Sequence, residues 1–451
     1  MVSVSGVRGR VGEGLTPEVV ARFAAAFGAF LRERRSRPTV VVARDSRVSG
    51  PMFEAAVVAG LQSVACDVIR AGLVPTPTAL LTVRHHGADG AIVVTASHNP
   101  VEWNALKFAS AAGMFLDADE AAAMRAWLDE RPIQRATWDA LGSTTLDPDA
   151  VARHKEAVLG LPLLDRDALR RRRFRVVLDC VRGAGGVLLP DLLRDLGCEV
   201  IGMDLEPDGR FPRAPEPVAE NLAGLEQAVR DAHADLGMAT DPDADRLSLV
   251  SDAGRAIGED LTLALAADLV LRHRNGTVVT NLSTSRVLED VAAAHGARLE
   301  RAPVGEINVA RTMQQVGAVI GGEGNGGVIL PDVHLTRDAA VAAALVLQAL
   351  LEQGRPLARI AAGWGPYTIV KDKLPRQAGS LVAAYDALAG QLDAPAEDRR
   401  DGLRLDWPGA RKWIHLRPSG TEPIFRIIAE APTSAEASEL VGMARAVLVR
   451  A

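Results

Sequence analysis

Short apolar runs rich in Val alternate along most of the chain with longer Ala/Leu-rich stretches broken by charged residues. The order short β-branched strand, polar loop, Ala/Leu-rich helix, second short strand occurs three times. It runs through "TVVVARDSRVSGPMFEAAVVAGLQSVACDVIRAG" from Thr39, "RVVLDCVRGAGGVLLPDLLRDLGCEVIGMD" from Arg175 and "TVVTNLSTSRVLEDVAAAHGARLERAPVG" from Thr277. Each copy predicts a strand-helix-strand unit, so the first three-quarters of the chain reads as three α/β domains. A further helix is predicted after Thr16, where "TPE" supplies an N-cap and a Pro at the first helical position. Beyond residue 367 the pattern changes to a helix, strands near 403–407, 411–417 and 424–430, and the closing helix "SAEASELVGMARAVLVR", an α+β module.

The polar stretch at 142–153, "SDAGR" at 251–255 and "GWGPY" at 363–367 mark the boundaries. They predict domains over residues 1–150, 151–252, 253–364 and 365–451. A chain of 451 residues is too long for one core, which agrees with that division. Aromatic residues are only 4%, so the cores must be built from Ala, Val and Leu. The formal charge of −6 lacks the basic footprint of a general nucleic-acid binder, so any bound anion needs a local cluster of donors. The longest apolar run, "AAVAAALVLQALL" from Ala339, is too short to span a bilayer. Charged residues such as Arg8, Arg10 and Glu13 near the start do not suit a signal peptide, and a cytoplasmic protein without membrane partners is the expectation. Cys66, Cys180 and Cys198 have no metal or disulfide spacing and read as small buried hydrophobes. "RERRSR" (32–37) and "RRRRFR" (170–175) read as solvated faces or linkers.

Four stretches carry candidate chemistry. "VVTASHNPVEWNALK" runs from a buried strand into a polar turn: either a plain turn, or a nucleophile, Ser97, presented at a strand's carboxyl end. "ATDPDADRLSLV" sets Asp241, Asp243 and Asp245 at alternate positions, where three carboxylates repel unless a hard divalent cation sits among them. An EF-hand is disfavoured because Arg246 stands where that loop requires Gly and "LSLV" continues as a strand. A catalytic metal loop or a solvated acidic turn remains. "GGEGNGG" surrounds Glu323 and Asn325 with five glycines: a flexible loop, or one that meets vicinal hydroxyls. In "LRPSGTEPIFR", Arg417 and Arg426 bracket Ser419, Gly420 and Thr421, which suits a phosphate as well as it suits a turn. Only five of the 51 basic residues are Lys, and one of them is Lys107, ten residues past Ser97. Arg cannot give up a proton at working pH whereas a desolvated Lys can, which points to an amine that exchanges one.

Taken in order, "TASHNP", "DPDADR", "GEGNGG" and "RPSGTEP", with "SVSGVRG" near the start, resemble the α-D-phosphohexomutase family across essentially the whole chain. The resemblance implies an α/β fold: three α/β domains and a C-terminal α+β domain around a central active-site cleft. It implies that Ser97 carries a phosphoryl group and that Mg²⁺ binds this phosphoserine with Asp241, Asp243 and Asp245. Lys107 then matches the general acid/base, and His98, Arg8 and Arg246 match residues lining the transfer site. Glu323, Gly324 and Asn325 match the sugar-hydroxyl loop; Arg417, Ser419, Gly420, Thr421 and Arg426 match the pocket for the non-reacting phosphate. The implied reaction interconverts hexose 6-phosphates and hexose 1-phosphates through a hexose bisphosphate, which also serves as catalytic activator. Small-molecule sugar phosphates are the implied partners, on a monomer or homodimer. "SVSGVRG", "EWNALK" and "GEGNGG" look most like phosphoglucosamine mutases, with phosphomannomutase/phosphoglucomutase as the alternative. Many members read Glu-x-Ser-Gly-His in the sugar loop; here Asn325 replaces Ser and Gly327 stands where His would be. The rivals of another class are a phosphoserine-dependent phosphatase, which needs an activated water and usually a second metal, and a non-catalytic sugar-phosphate-binding protein.

Overall fold

The computed structural model describes residues 2–3, 6–375, 381–419 and 424–450, and its strands form four sheets. Three of them share one plan. In the first, Asp67–Leu73, Thr39–Arg44 and Gly90–Val94 run parallel in that order and Trp103–Ser110 returns antiparallel. The second repeats this with Glu199–Met203, Arg175–Asp179, Leu236–Thr240 and Leu247–Ser251. The third does so with Arg298–Ala302, Thr277–Asn281, Ile320–Glu323 and Gly327–Ile329. The repeated sequence units supply the first two of these four strands in each sheet, and a further helix then leads to the third and its hairpin partner; the first sheet also carries Val2–Ser3, Gly6–Arg10 and Thr144–Leu146.

That plan decides where chemistry can sit. The loop between the third strand and its return holds Ser97 in the first sheet, the three aspartates in the second and Asn325 in the third. All three loops therefore leave the carboxyl end of a parallel strand, where open α/β sheets bind ligands. Each contains one left-handed residue to tighten the turn: Ser97 (φ 48°), Ala244 (φ 53°) and Gly326 (φ 86°).

The fourth sheet is antiparallel throughout, in the order Thr368–Pro375, Ile424–Ala431, Lys412–Pro418, Leu403–Trp407 and Ala396–Asp398. It corrects the sequence expectation in one respect: the module opens on a strand, and its helix Leu381–Leu392 follows. Lys371, Asp372 and Lys373 hide the strand pattern, and charge of this kind is what an exposed sheet edge requires.

Thr16 caps the helix Pro17–Arg32 as the sequence predicts. The apolar run from Ala339 is the helix Ala339–Gln353, buried along most of its length in a core that joins the second and third sheets. No helix among the described residues is long and apolar enough to cross a membrane. Asp338 caps the helix by accepting from the N–H groups of Ala340 and Val341, and its other oxygen meets His154 and His334 at 2.7 and 2.8 Å. Thr78 in turn bonds His154 at 2.7 Å, so this buried network ties the first sheet's helices to the third sheet's. The three cysteines are free and buried, and burial pushes the Cys66 thiol up to about 12, far from reactive.

Candidate active site

Ser97 is almost fully buried at the end of Gly90–Val94, and its Oγ donates to Asp241 Oδ2 at 2.9 Å. A serine at φ 48° costs roughly 1–2 kcal/mol, so the surroundings must hold it there. Arg47, fully buried, does so: its Nη1 donates to the carbonyls of Pro100 and Trp103, and its Nη2 to those of Ser97 and Asn99, all at 2.6–2.8 Å. Asp45 balances that guanidinium at 3.1 Å and accepts from Thr95 Oγ1 at 2.6 Å. Thr95 Oγ1 then receives the Ser97 N–H at 2.9 Å, closing a network around the serine. Arg47→Met is expected to cost about 3–5 kcal/mol, the loss typical of a broken buried ion pair, because it strands Asp45 and four carbonyls. Chemical denaturation followed by first-domain probes checks this; a loss under about 1 kcal/mol would show that the brace is redundant.

The three aspartates are buried, and one oxygen of each lies within 4.8 Å of the others. Burial, with Asp245 and Asp243 alongside, drives the Asp241 carboxyl well above the usual range. Burial would raise Asp243 too, but the Lys107 ammonium outweighs it and holds Asp243 below that range. Asp243 Oδ2 is fixed by Lys107 Nζ and Thr76 Oγ1, each at 2.8 Å. Asp243 Oδ1 and Asp245 Oδ1, by contrast, are buried without a hydrogen-bond partner. Orphaned carboxylate oxygens facing a third carboxyl are costly unless a cation takes them, and an all-oxygen set suits Mg²⁺. The donor set fits the expected ion.

Lys107 lies on Trp103–Ser110, and the paired strand Gly6–Arg10 sets Gly6 opposite it with Arg8 two positions on. Burial depresses an ammonium, but Asp243 and Asp245 prevail and the Lys107 pKa is raised. Arg8 reaches Asn99 Oδ1 of the serine loop. Arg246 donates to His98 Nδ1 at 3.1 Å and approaches Glu216 at 3.4 Å. Burial, with Arg246 and Arg8 close by, holds the His98 pKa well below its ordinary value, so the ring is neutral near pH 7. The structure thus gathers Ser97, His98, Lys107, Arg8, Arg246 and the three aspartates around one point.

Glu323, in contrast to an open sugar ligand, is largely occupied. Its Oε1 accepts from Asn281 at 2.8 Å and from the Gly305 N–H at 3.0 Å, while Arg337 reaches Oε2 at 2.8 Å. Asn325 turns back to Gly327 N–H at 3.2 Å and to Glu323 at 3.5 Å. A Cβ on Gly324 would lie 2.2 Å from Asp260 Oδ1, so glycine is required there. Burial pushes the Asp260 carboxyl up to about 7. The Leu247 N–H donates to Gly326 O at 2.9 Å, pinning the sugar loop to the strand that leaves the aspartate loop.

Arg417 and Arg426 are cross-strand partners at the mouth of the last hairpin. Like charges set opposite one another are unfavourable unless an anion joins them; Asp401 serves Arg417 at 2.9 Å. The Arg426 charge is among those that depress the His98 pKa, after burial, Arg246 and Arg8. The Ser419 N–H donates to Ile424 O at 2.8 Å. Gly420 and Thr421 lie outside the described residues.

Sequence reasoning missed Asp45, Arg47, Thr76, Glu216, Glu306 and Arg337. "ARDSR" at the exit of Thr39–Arg44 and the charged pair before the apolar helix at Ala339 were the available signals.

Four domain families of phosphoglucomutase/phosphomannomutase match the chain: alpha/beta/alpha domain I over residues 2–132, domain II over 153–254, domain III over 258–367 and the C-terminal domain over 369–447. The chain is 40% identical over 439 residues to a phosphoglucomutase/phosphomannomutase of Thermococcus kodakarensis, covering 96% of this chain and 95% of that one. It is 38% identical over 449 residues to a probable phosphoglucosamine mutase of Methanopyrus kandleri, covering 97% and 95%. A solved phosphoglucomutase/phosphomannomutase family protein of Burkholderia thailandensis superposes with a TM-score of 0.85 at 27% identity, covering 99% of this chain and 98% of that one.

Proposed function

The chain belongs to the phosphoglucomutase/phosphomannomutase family and is a phosphohexomutase, an isomerase; from that premise we propose a phosphoserine mechanism at Ser97 with glucosamine phosphate as preferred substrate. The observation that carries the mechanism is the Ser97 hydroxyl on Asp241, in a loop where Asp243 Oδ1 and Asp245 Oδ1 are buried without a hydrogen-bond partner. Each domain, at 1–150, 151–252, 253–364 and 365–451, contributes one loop to the cleft.

Mg²⁺ held by Asp241, Asp243, Asp245 and the serine phosphate supplies charge neutralisation for the phosphoryl oxygens. The chain's own residues do the rest. The Ser97 Oγ–P bond breaks as a hydroxyl oxygen of the hexose monophosphate bonds to phosphorus. Lys107 relays the proton: its ammonium gives one to Ser97 Oγ as the Oγ–P bond breaks, and the amine so formed takes up the hydroxyl's, so serine and ammonium are both regenerated. Arg8, Arg246 and neutral His98 line the phosphoryl oxygens' side of the pocket. Glu323 and Asn325 meet the sugar hydroxyls, and Arg417, Ser419, Gly420, Thr421 and Arg426 grip the phosphate that does not react. The bisphosphate then turns end for end and returns its other phosphoryl group to Ser97.

The preference for glucosamine rests on "SVSGVRG", "EWNALK" and "GEGNGG" and on relatives named probable phosphoglucosamine mutase. The name of the Thermococcus kodakarensis relative, phosphoglucomutase/phosphomannomutase, supports mannose or glucose phosphate instead. Turnover of glucosamine, mannose and glucose 6-phosphates, with Mg²⁺ and a catalytic amount of the hexose bisphosphate, separates them. The highest kcat/KM is expected for glucosamine 6-phosphate. Free phosphate released as fast as substrate disappears would mark a phosphatase.

A further inference from the structure

Arg337 lies in no stretch that the sequence singled out, yet it joins two of them. It is buried just ahead of the Asp338 cap; its Nη1 donates to Glu323 Oε2 at 2.8 Å, and its Nη2 to Asp245 Oδ2 at 2.6 Å. Glu306 faces the guanidinium Nε at 3.2 Å and accepts the Arg337 N–H at 3.0 Å. One planar cation thus holds a carboxylate of the sugar loop and one of the aspartate loop in a fixed relation. A fork can do this where a single ammonium cannot.

The room for that side chain comes from Gly327. A Cβ built there would stand 2.2 Å from Arg337 Cδ and 2.8 Å from its Cγ. Gly327 has no left-handed φ, so space alone demands glycine at this position. Gly327 is also the position at which the loop departs from the histidine-bearing pattern.

We propose that Arg337 occupies the place a side chain at position 327 would take, and there acts as the positioning residue that sets Asp245 for the cation and Glu323 for the sugar. The inference rests on the phosphohexomutase reading of the cleft. Holding Asp245 by Oδ2 leaves Oδ1 without a hydrogen-bond partner, 3.7 Å from Arg246 Nε. Holding Glu323 the same way fixes the floor beneath Asn325. A permanently charged guanidinium in this place cannot give up a proton, so it positions and does not exchange.

The test uses the full chain and Mn²⁺ alone as probe, with free ion read by electron paramagnetic resonance, so it does not depend on turnover. Arg337→Lys and Gly327→Ala are each expected to weaken Mn²⁺ binding by about tenfold or more, the usual effect of losing a partner behind a metal ligand. Both should also raise KM for the hexose phosphate more than they lower kcat. Gly327→Ala reaches the guanidinium without removing it, so it remains informative if the Lys variant folds poorly. In an Arg337→Ala background, Gly327→Ala should add less than twofold, because the obstructed side chain is gone. Mn²⁺ affinity within twofold of the parent in folded Arg337→Lys and Gly327→Ala would overturn the proposal. Weakened Mn²⁺ binding in a protein that turns over no hexose phosphate would keep Arg337's role at the aspartates and reject the substrate reading.

Discussion

Ser97→Ala is expected to lower turnover by on the order of 10⁴-fold or more, as removal of a covalent nucleophile does. The fold should remain. Ala keeps the Cβ, so the strain at φ 48° is unchanged, and the Arg47 brace acts on backbone carbonyls that no side-chain truncation removes. What is lost is the hydrogen bond to Asp241, worth about 1 kcal/mol, and a long contact with His98 Nδ1 at 3.4 Å. A coupled assay for the hexose 1-phosphate, with a thermal melt alongside, checks both halves. Residual turnover above about a tenth of the parent's would mean that phosphoryl transfer bypasses Ser97.

Asp243→Asn should abolish Mg²⁺-dependent turnover and also weaken the metal-free fold. Considering repulsion alone, removing one of three crowded carboxylates should stabilise the apo protein. The structure reverses that sign. Asp241 is pushed toward its neutral form, so much of the repulsion is already relieved, whereas Asp243 is the ionised partner of the buried Lys107 ammonium at 2.8 Å. Asn takes the facing negative charge away, so that among the described residues the nearest carboxylate to that ammonium is Asp245 at 3.8 Å, and a loss of about 1–3 kcal/mol follows. Isothermal titration with Mg²⁺ and denaturation without metal measure the two effects. Unchanged Mg²⁺ affinity would remove Asp243 from the ligand set, and unchanged apo stability would show that Asp245 alone satisfies Lys107.

How much of this could be read in the chain follows from what sequence patterns encode. The repeated strand-helix-strand units were legible because buried strands and helices carry their apolar periodicity with them. Thr368–Pro375 was not, because an edge strand bears the charges that disguise it. Ser97 and the three aspartates stood out as dense polar motifs at strand exits. Arg47, Thr76 and Arg337 act on loops 50, 167 and 92 positions away, and no local spacing announces such a partner. Glu323 illustrates the opposite limit: its motif was visible, but the donors from outside that motif that occupy its oxygens come from Asn281, Gly305 and Arg337.

The central claim is that Ser97 is the phosphoryl carrier, and peptide mapping by mass spectrometry tests it most directly. Active enzyme treated with the hexose bisphosphate should carry a single phosphate on the peptide containing Ser97, and incubation with excess hexose monophosphate should transfer it to the sugar. Active enzyme with Ser97 bare and stoichiometric phosphate on another residue would contradict the account.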